Sequence, residues 1–226
     1  MRPAEAGRPL RIAIADDEVL VRTGFRMILQ AEEDMEVVGE AENGEAAVSI
    51  ARRLRPDVVL MDVRMPVMNG LEATRQVLAA LPECRVIVLT TFDLDEYVYS
   101  AVAAGASGFL LKNVTAEQLV ASIRLVVTGE ALLAPSITRR LIQRFAGDRK
   151  PRAVSQEALS TLSPRELEVL KLMARGLSNA ELAEVLHLGE TTVKSHVGRV
   201  LAKLGLRDRV QAVVLAYETG LVEPGT

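Results

Sequence analysis

Residues 57–70 read DVVLMDVRMPVMNG, an apolar run that closes on an acid, Asp62, before a loop marked by Pro66 and Asn69-Gly70. The run Asp57–Met61 shows no polar alternation, which predicts a strand covered on both faces of a parallel sheet. Working outward, the same texture recurs at Arg11–Ala15 (RIAIA), Glu36–Ala41 (EVVGEA), Arg85–Thr90 (RVIVLT) and Ser107–Leu111 (SGFLL). Between these runs the spacing turns helical: Val21, Phe25, Ile28 and Leu29 fall at i, i+4, i+7 and i+8. Further helices fit residues 43–54, 70–80, 95–104 and 115–127, the last opened by the capping-box pattern Thr115-Ala-Glu-Gln118. Alternation of this kind predicts an α/β doubly wound domain with a five-stranded parallel sheet, whose ligands bind beyond the carboxyl ends of the strands.

Two of these strands are followed by carboxylates, Asp16-Asp17 after RIAIA and Asp62 after DVVLM, so a parallel sheet brings all three to one edge. Such a cluster is costly unless a cation sits in it, and hard oxygen ligands that leave room for water and phosphate oxygens suit Mg²⁺. Lys112, directly after the fifth strand, reaches the same edge as a point charge for a phosphoryl group, and Thr90 offers a hydroxyl beside it. The chemistry this permits is attack of Asp62 on a phosphoryl donor, with Mg²⁺ and Lys112 neutralising the equatorial oxygens. Each residue alone has a structural explanation: a strand-end Asp as a helix cap, Thr90 as a β-former, Lys112 as a solvated cation. Their joint placement after strands one, three, four and five is what points to chemistry.

The pair Asp16-Asp17, the segment VVLMDVRMPVMNG at 58–70, Thr90 and GFLLK at 108–112 resemble a receiver domain of two-component response regulators, over about residues 9–128. The resemblance implies a flavodoxin-like receiver in which Asp62 is the phosphoacceptor. It implies that Asp17 and Asp62 bind Mg²⁺ with the backbone carbonyl of Arg64, and that Asp16 contributes to the acidic pocket. Thr90 and Phe109 are then the switch pair and Lys112 the family's lysine. Phe109 stands where Tyr is often found, which removes a hydrogen-bonding role for that ring.

Residues 129–157 contain Gly129, Pro135, Gly147, Pro151 and a basic run, and read as a linker with one helix at Ser136–Phe145. From 158 to 224 the strand-like runs vanish and helix caps recur, as in Ser163-Pro164-Arg165-Glu166 and Ser178-Asn179-Ala180-Glu181. Helices fit residues 164–175, 179–187, 191–204 and 207–219, with short connections at Gly176 and Gly189, which is helix-turn-helix spacing. In TTVKSHVGRVLAKL, the residues Val193, Val197, Val200, Leu201 and Leu204 form the inward stripe and leave Thr192, Lys194, Ser195, Arg199, Ala202 and Lys203 outward. A polar face of this kind suits the DNA major groove. His196 reads as a phosphate or backbone contact, or as a packing residue. Leu162–Val213 is similar to the LuxR-type helix-turn-helix of the NarL/FixJ class, which implies a recognition helix at 191–204, with 179–187 as its scaffold and 207–219 as a dimerisation element. Gly189 departs from the Ser common there, and Gly198 presents no side chain on a face where many relatives carry a longer one.

Charge is uneven along the chain. Residues 1–128 carry 13 Lys+Arg against 19 Asp+Glu, 129–157 carry 6 against 3, and 158–226 carry 8 against 8. Within the last part, Lys194, Arg199, Lys203, Arg207 and Arg209 face only Asp208; on charge alone they read equally as a phosphate-backbone footprint or a solvated helix face. No stretch approaches the roughly 20 apolar residues of a membrane span, and MRPAEAGRPL lacks the apolar core of a signal peptide, which predicts a soluble cytoplasmic protein. Cys84 alone forms no internal disulfide, and with His187 and His196 it makes no zinc spacing.

The expected partners are a sensor histidine kinase, double-stranded DNA with a roughly palindromic operator, a second copy of the chain on phosphorylation, and RNA polymerase as a further candidate. Phosphorylation is expected to draw Thr90 and Lys112 inward, pack Phe109, and alter the surface of the fourth helix, fifth strand and fifth helix. That change either releases the DNA-binding domain or pairs two receivers. A receiver that senses a ligand without being phosphorylated is one alternative. A small phosphatase or NTPase is the other, and against it stands the lack of any GxxxxGK[ST] loop or second catalytic group near Asp62.

Overall fold

The computed structural model describes residues 8–91, 100–128 and 159–222. The chain divides at Thr128 into two compact units. The expected helix at Ser136–Phe145 lies outside the described residues, and of the helix expected at 95–104 only helical residues 100–103 lie within them.

The first unit runs β1 (Leu10–Ala15), α1 (Val19–Gln30), β2 (Met35–Ala41), α2 (Gly44–Leu54), β3 (Val58–Asp62), α3 (Gly70–Ala80) and β4 (Arg85–Thr90). It continues through α4 (described at 100–103), β5 (Gly108–Leu111) and α5 (Ala116–Val127). The five strands are all parallel in the order β2-β1-β3-β4-β5. Every residue of β3 is buried, as are Val86–Thr90 of β4, because helices cover both faces. The order reverses at the β1–β3 boundary, and the crevice beyond those two carboxyl ends is where such sheets bind ligands. Asp16 and Asp62 stand at that point.

Local chemistry fixes the helix starts around this edge. Asn43 and Asn69 cap α2 and α3, each accepting at its side-chain oxygen a backbone N–H at 2.9 Å, and Thr115 opens α5 with a complete capping box. The loop from Asp62 to Asn69 is held tightly: Gly70 N–H donates to Val63 O at 3.0 Å, and Gly44 N–H donates to Met68 O at 3.1 Å. Val67 adopts φ 67 in this loop, a left-handed conformation unusual for a β-branched residue.

In the second unit α6 (Pro164–Ala174), α7 (Asn179–Leu186), α8 (Glu190–Lys203) and α9 (Arg209–Glu218) pack around Leu170, Met173, Leu182, Val193, Val197 and Ala216. Ser163 and Ser178 form the capping boxes their sequences predict. The α7–α8 turn passes through His187 at φ 52, and Gly189 starts α8 without a side-chain cap. The last helix begins at Arg209 rather than at 207, because Asp208 is its cap and accepts from Gln211 N at 3.1 Å. Among the described residues no helix is long and apolar enough to cross a membrane.

A Cβ built at Gly70 would collide with the carbonyl oxygen of Asp62, a backbone atom that cannot move without shifting β3. Gly70→Ala should therefore lower stability by about 3 kcal/mol, in the upper range for overpacked sites. A thermal midpoint equal to that of the wild type would contradict the close approach of α3 to β3.

Candidate functional site: an acidic pocket and a helix-turn-helix

Asp16 and Asp17 leave β1 at its carboxyl end, and Asp62 is the last residue of β3. Asp16 is fixed through its backbone, its N–H donating to Ala41 O at 3.0 Å and its carbonyl accepting from Arg22 Nη1 at 2.6 Å. Its Oδ1 accepts the Glu18 N–H at 3.0 Å, which closes the turn into α1. One carboxylate oxygen from each of Asp16, Asp17 and Asp62 lies within 4.8 Å of the other two, with Asp16 and Asp62 buried and Asp17 exposed.

Lys112 completes the group. Its N–H donates to Thr90 O at 2.7 Å, extending the β4–β5 ladder by one bond and swinging the side chain to the rim. Its Nζ then lies 2.8 Å from Asp16 Oδ2, 3.3 Å from Asp62 Oδ1 and 3.3 Å from Glu18 Oε1. The four residues expected to converge, Asp16, Asp17, Asp62 and Lys112, are thus brought together, and Glu18 joins them without having been expected. Its one signal in the sequence is its place directly after the acidic pair.

Burial raises the Asp62 carboxyl to about 6; Lys112 opposes the rise, while Asp16 and Asp17 add to it. Burial by itself would depress Lys112, but the hydrogen bond to Asp16 and the charge of Asp62 hold it above the ordinary lysine range. Three carboxylates against one buried ammonium leave the pocket short of positive charge. Oxygen donors alone, two of them buried, fit a hard divalent cation such as Mg²⁺.

Thr90 ends β4, buried and paired opposite Leu111, next to Lys112. Phe109 pairs with Val88 and is 5% exposed. The ring is already inside, so the expected inward packing of Phe109 is not a step this conformation leaves to be made. Arg64 is exposed in the loop after β3.

In the second unit, Thr192, Lys194, Ser195, Arg199, Ala202 and Lys203 are exposed on α8 while Val193, Val197 and Val200 are buried, as their spacing predicts; Leu201 and Leu204 are partly buried against the same core. The cations divide into two kinds. Lys203 reaches back 37 residues to Glu166, with Nζ 2.6 Å from Oε2, and also donates to Thr161 O at 3.2 Å. Arg209 is buried; it donates to Asn179 Oδ1 at 3.1 Å and to Leu177 O. Arg207 pairs with Asp208 at 3.2 Å. Lys203 and Arg209 therefore tie separate parts of the domain together, which corrects the reading of Lys203 as a purely outward-facing side chain. Lys194 pairs with Glu190 at 3.6 Å on the exposed face, and Arg199 is exposed. His196 is half-buried, and its Nδ1 is buried without a hydrogen-bond partner among the described residues.

The family model for the response regulator receiver domain matches residues 12–124, and that for the bacterial regulatory proteins of the luxR family matches 160–216. The chain is similar to YxjL, an uncharacterized transcriptional regulatory protein of Bacillus subtilis, with 43% identity over 215 residues, covering 95% of this chain and 98% of the relative. It is similar to the transcriptional regulatory protein DegU of Brevibacillus brevis, with 39% identity over 227 residues and 95% of each chain covered. Among solved structures it resembles the response regulator ChrA of a heme-sensing two-component system, at 35% identity and TM-score 0.50, over 95% of this chain and 99% of that one.

Two outcomes are expected from these electrostatics. Folded Asp62 keeps its proton up to about pH 6, whereas the unfolded chain releases it near 3.8, so Asp62 costs stability as pH rises through that window. With a chelator present, Asp62→Asn should melt above the wild type at pH 7, by about 1 kcal/mol or a few °C, and the two should converge near pH 4. A variant melting at or below the wild type at pH 7 contradicts this. In the second unit the Lys203 ammonium, with the Ser163 amide, holds the Glu166 carboxyl at about 2, below the ordinary 4.5. Stability from this pair is present above the ordinary value and lost as pH falls toward about 2. Lys203→Met should lower the melting midpoint at pH 7, with the difference shrinking in acid.

Proposed function

The chain belongs to the response regulators, with a receiver domain followed by a LuxR-type DNA-binding domain, and from that premise we propose that Asp62 is the phosphoacceptor through which it is switched. It is a transcriptional regulator of a two-component system. The observation that carries the assignment is the seat of Asp62: buried at the carboxyl end of β3, 3.3 Å from Lys112 and beside two further carboxylates. We divide the chain into a receiver at 9–128, a linker at 129–157 and the DNA-binding domain at 158–224.

A sensor histidine kinase presents phosphohistidine. The Asp62 carboxylate attacks phosphorus, the P–N bond breaks, and the imidazole leaves with the electron pair. A carboxyl held at about 6 is still mostly ionised at neutral pH, so the nucleophile is available. Asp17, Asp62 and the backbone carbonyl of Arg64 would hold Mg²⁺, with Asp16 shaping the pocket; bound there, the ion neutralises phosphoryl oxygens. Lys112 turns from its carboxylates to the phosphoryl oxygens, and the Thr90 hydroxyl donates to them. Val19 and Leu20, exposed at 66% and 84% directly beyond the acidic turn, give an approaching kinase apolar surface at the rim.

The charge added at Asp62 pulls on Thr90, and through the Thr90–Lys112 backbone bond on β5, so the face of α4, β5 and α5 changes. That change frees the DNA-binding domain or pairs two receivers. α8 is the recognition helix, with Thr192, Lys194, Ser195 and Arg199 meeting DNA and His196 at the edge of the contact. Lys203 contributes mainly by holding α8 on α6. Two copies place two such helices about one DNA turn apart, on a roughly palindromic operator in the cytoplasm, where RNA polymerase is the next partner. Any loss of the phosphoryl group is self-limiting chemistry of the switch and not an enzyme's turnover.

Operator affinity should rise on treatment of the wild type with a small phosphodonor and stay at its basal level in Asp62→Ala. Equal affinity for untreated wild type, treated wild type and the variant would contradict control by phosphorylation.

A further inference from the structure

Glu18 is exposed, yet its carboxylate reaches across the pocket mouth to Lys112, 94 residues away, at 3.3 Å. It stands at the N-cap of α1 and makes no side-chain hydrogen bond to its own helix. Lys112 has three ammonium protons and three carboxylate neighbours, Asp16, Asp62 and Glu18. The first two are buried and carry the pocket; Glu18 alone is open to water, with its side chain 60% exposed. Nothing in the folding of β1 or α1 requires an acid there. The Glu18 backbone N–H already closes the turn onto Asp16, and that bond is available to any residue except proline.

We propose that Glu18 is a positioning residue that restrains Lys112 from the solvent side and sets, by its charge, how readily the pocket takes phosphoryl groups from anionic donors. The inference rests on Asp62 as the phosphoacceptor. With acetyl phosphate as donor, an Asp62 oxygen bonds to phosphorus, the bond from phosphorus to the acetyl oxygen breaks, and acetate leaves with the electron pair; nothing is oxidised or reduced. Lys112 must exchange a carboxylate neighbour for a phosphoryl oxygen during this step. Glu18 opposes the exchange twice, by competing for the ammonium and by repelling the incoming dianion at the rim. It acts in the opposite sense on a cation. Its carboxylate draws Lys112 away from Asp16 and Asp62 and adds negative charge beside them, which favours a divalent metal.

The two opposed signs separate this role from a structural one. In the full-length protein at saturating Mg²⁺ and low salt, Glu18→Gln should take up phosphoryl from acetyl phosphate about threefold to tenfold faster than the wild type. The gap should close toward unity at about 1 M salt, where charges are screened within a few ångströms. Calorimetric titration with Mg²⁺ should give weaker binding by about twofold to fivefold for the same variant, and Glu18→Asp should restore both values toward wild type. Equal rates for Glu18→Gln and wild type at low salt would overturn the proposal, and so would slower uptake together with weaker Mg²⁺ binding. If wild type itself accepts no phosphoryl group although it binds Mg²⁺, the phosphoacceptor reading fails and this inference with it. If wild type is labelled and Glu18→Gln matches it, only the role of Glu18 fails.

Discussion

The ammonium of Lys112, 2.8 Å from Asp16 and 3.3 Å from Asp62, is the interaction on which the first domain's chemistry depends. Without it, two buried carboxylates and a third within 4.8 Å would repel at the one edge where the sheet order reverses. The fold supplies each participant from a different strand end: Asp16 and Asp17 from β1, Asp62 from β3, Thr90 from β4 and Lys112 from β5. Central strands with buried apolar runs give the sheet its rigidity, and their carboxyl ends can then hold charges that a more pliant scaffold would let drift apart. The lysine balances the charge only in part. Burial, with Asp16 and Asp17 adding to it, keeps Asp62 raised to about 6 against the opposing lysine, and the cluster of carboxylates around one ammonium makes the pocket receptive to a divalent cation.

The second domain uses cations in another way. Arg209 ties α9 to the α6–α7 turn through Leu177 O and Asn179, Arg165 donates to Leu186 O at 2.8 Å at the far end of α7, and Lys203 ties the end of α8 to Glu166 at the start of α6. Fixed points at both ends of α7 and at the end of α8 set the angle between α7 and α8, while Lys194 and Arg199 remain on the outer face. A helix-turn-helix with few outward cations gains little from a single copy on DNA, because non-specific affinity scales with the phosphates neutralised.

Much of this was legible in the sequence, because it rests on local patterns. Short runs rich in Val, Ile and Leu placed all five strands within a residue or two. The boundary that mattered shifted by one: β3 ends on Asp62 rather than Met61, so the proposed acceptor belongs to the strand itself. Capping chemistry located α5, α6 and α7. What could not be read was partnership over long separations. Nothing in the order of residues says that Lys203 meets Glu166, that Arg209 turns inward, or that Glu18 finds Lys112, since each depends on packing between helices or on the meeting of distant strand ends. The basic segment, which on charge alone read equally as a phosphate-backbone footprint or a solvated helix face, sends Lys203 and Arg209 back to distant parts of its own domain.

The proposed role of Asp62 is tested most directly by where a phosphoryl group lands. Incubating the protein with Mg²⁺ and a small phosphodonor, reducing the acyl phosphate with borohydride and sequencing the peptides by mass spectrometry should show one modified residue per chain, Asp62 converted to homoserine. A label on Asp16 or Asp17, or no label on a protein that binds Mg²⁺, would contradict it.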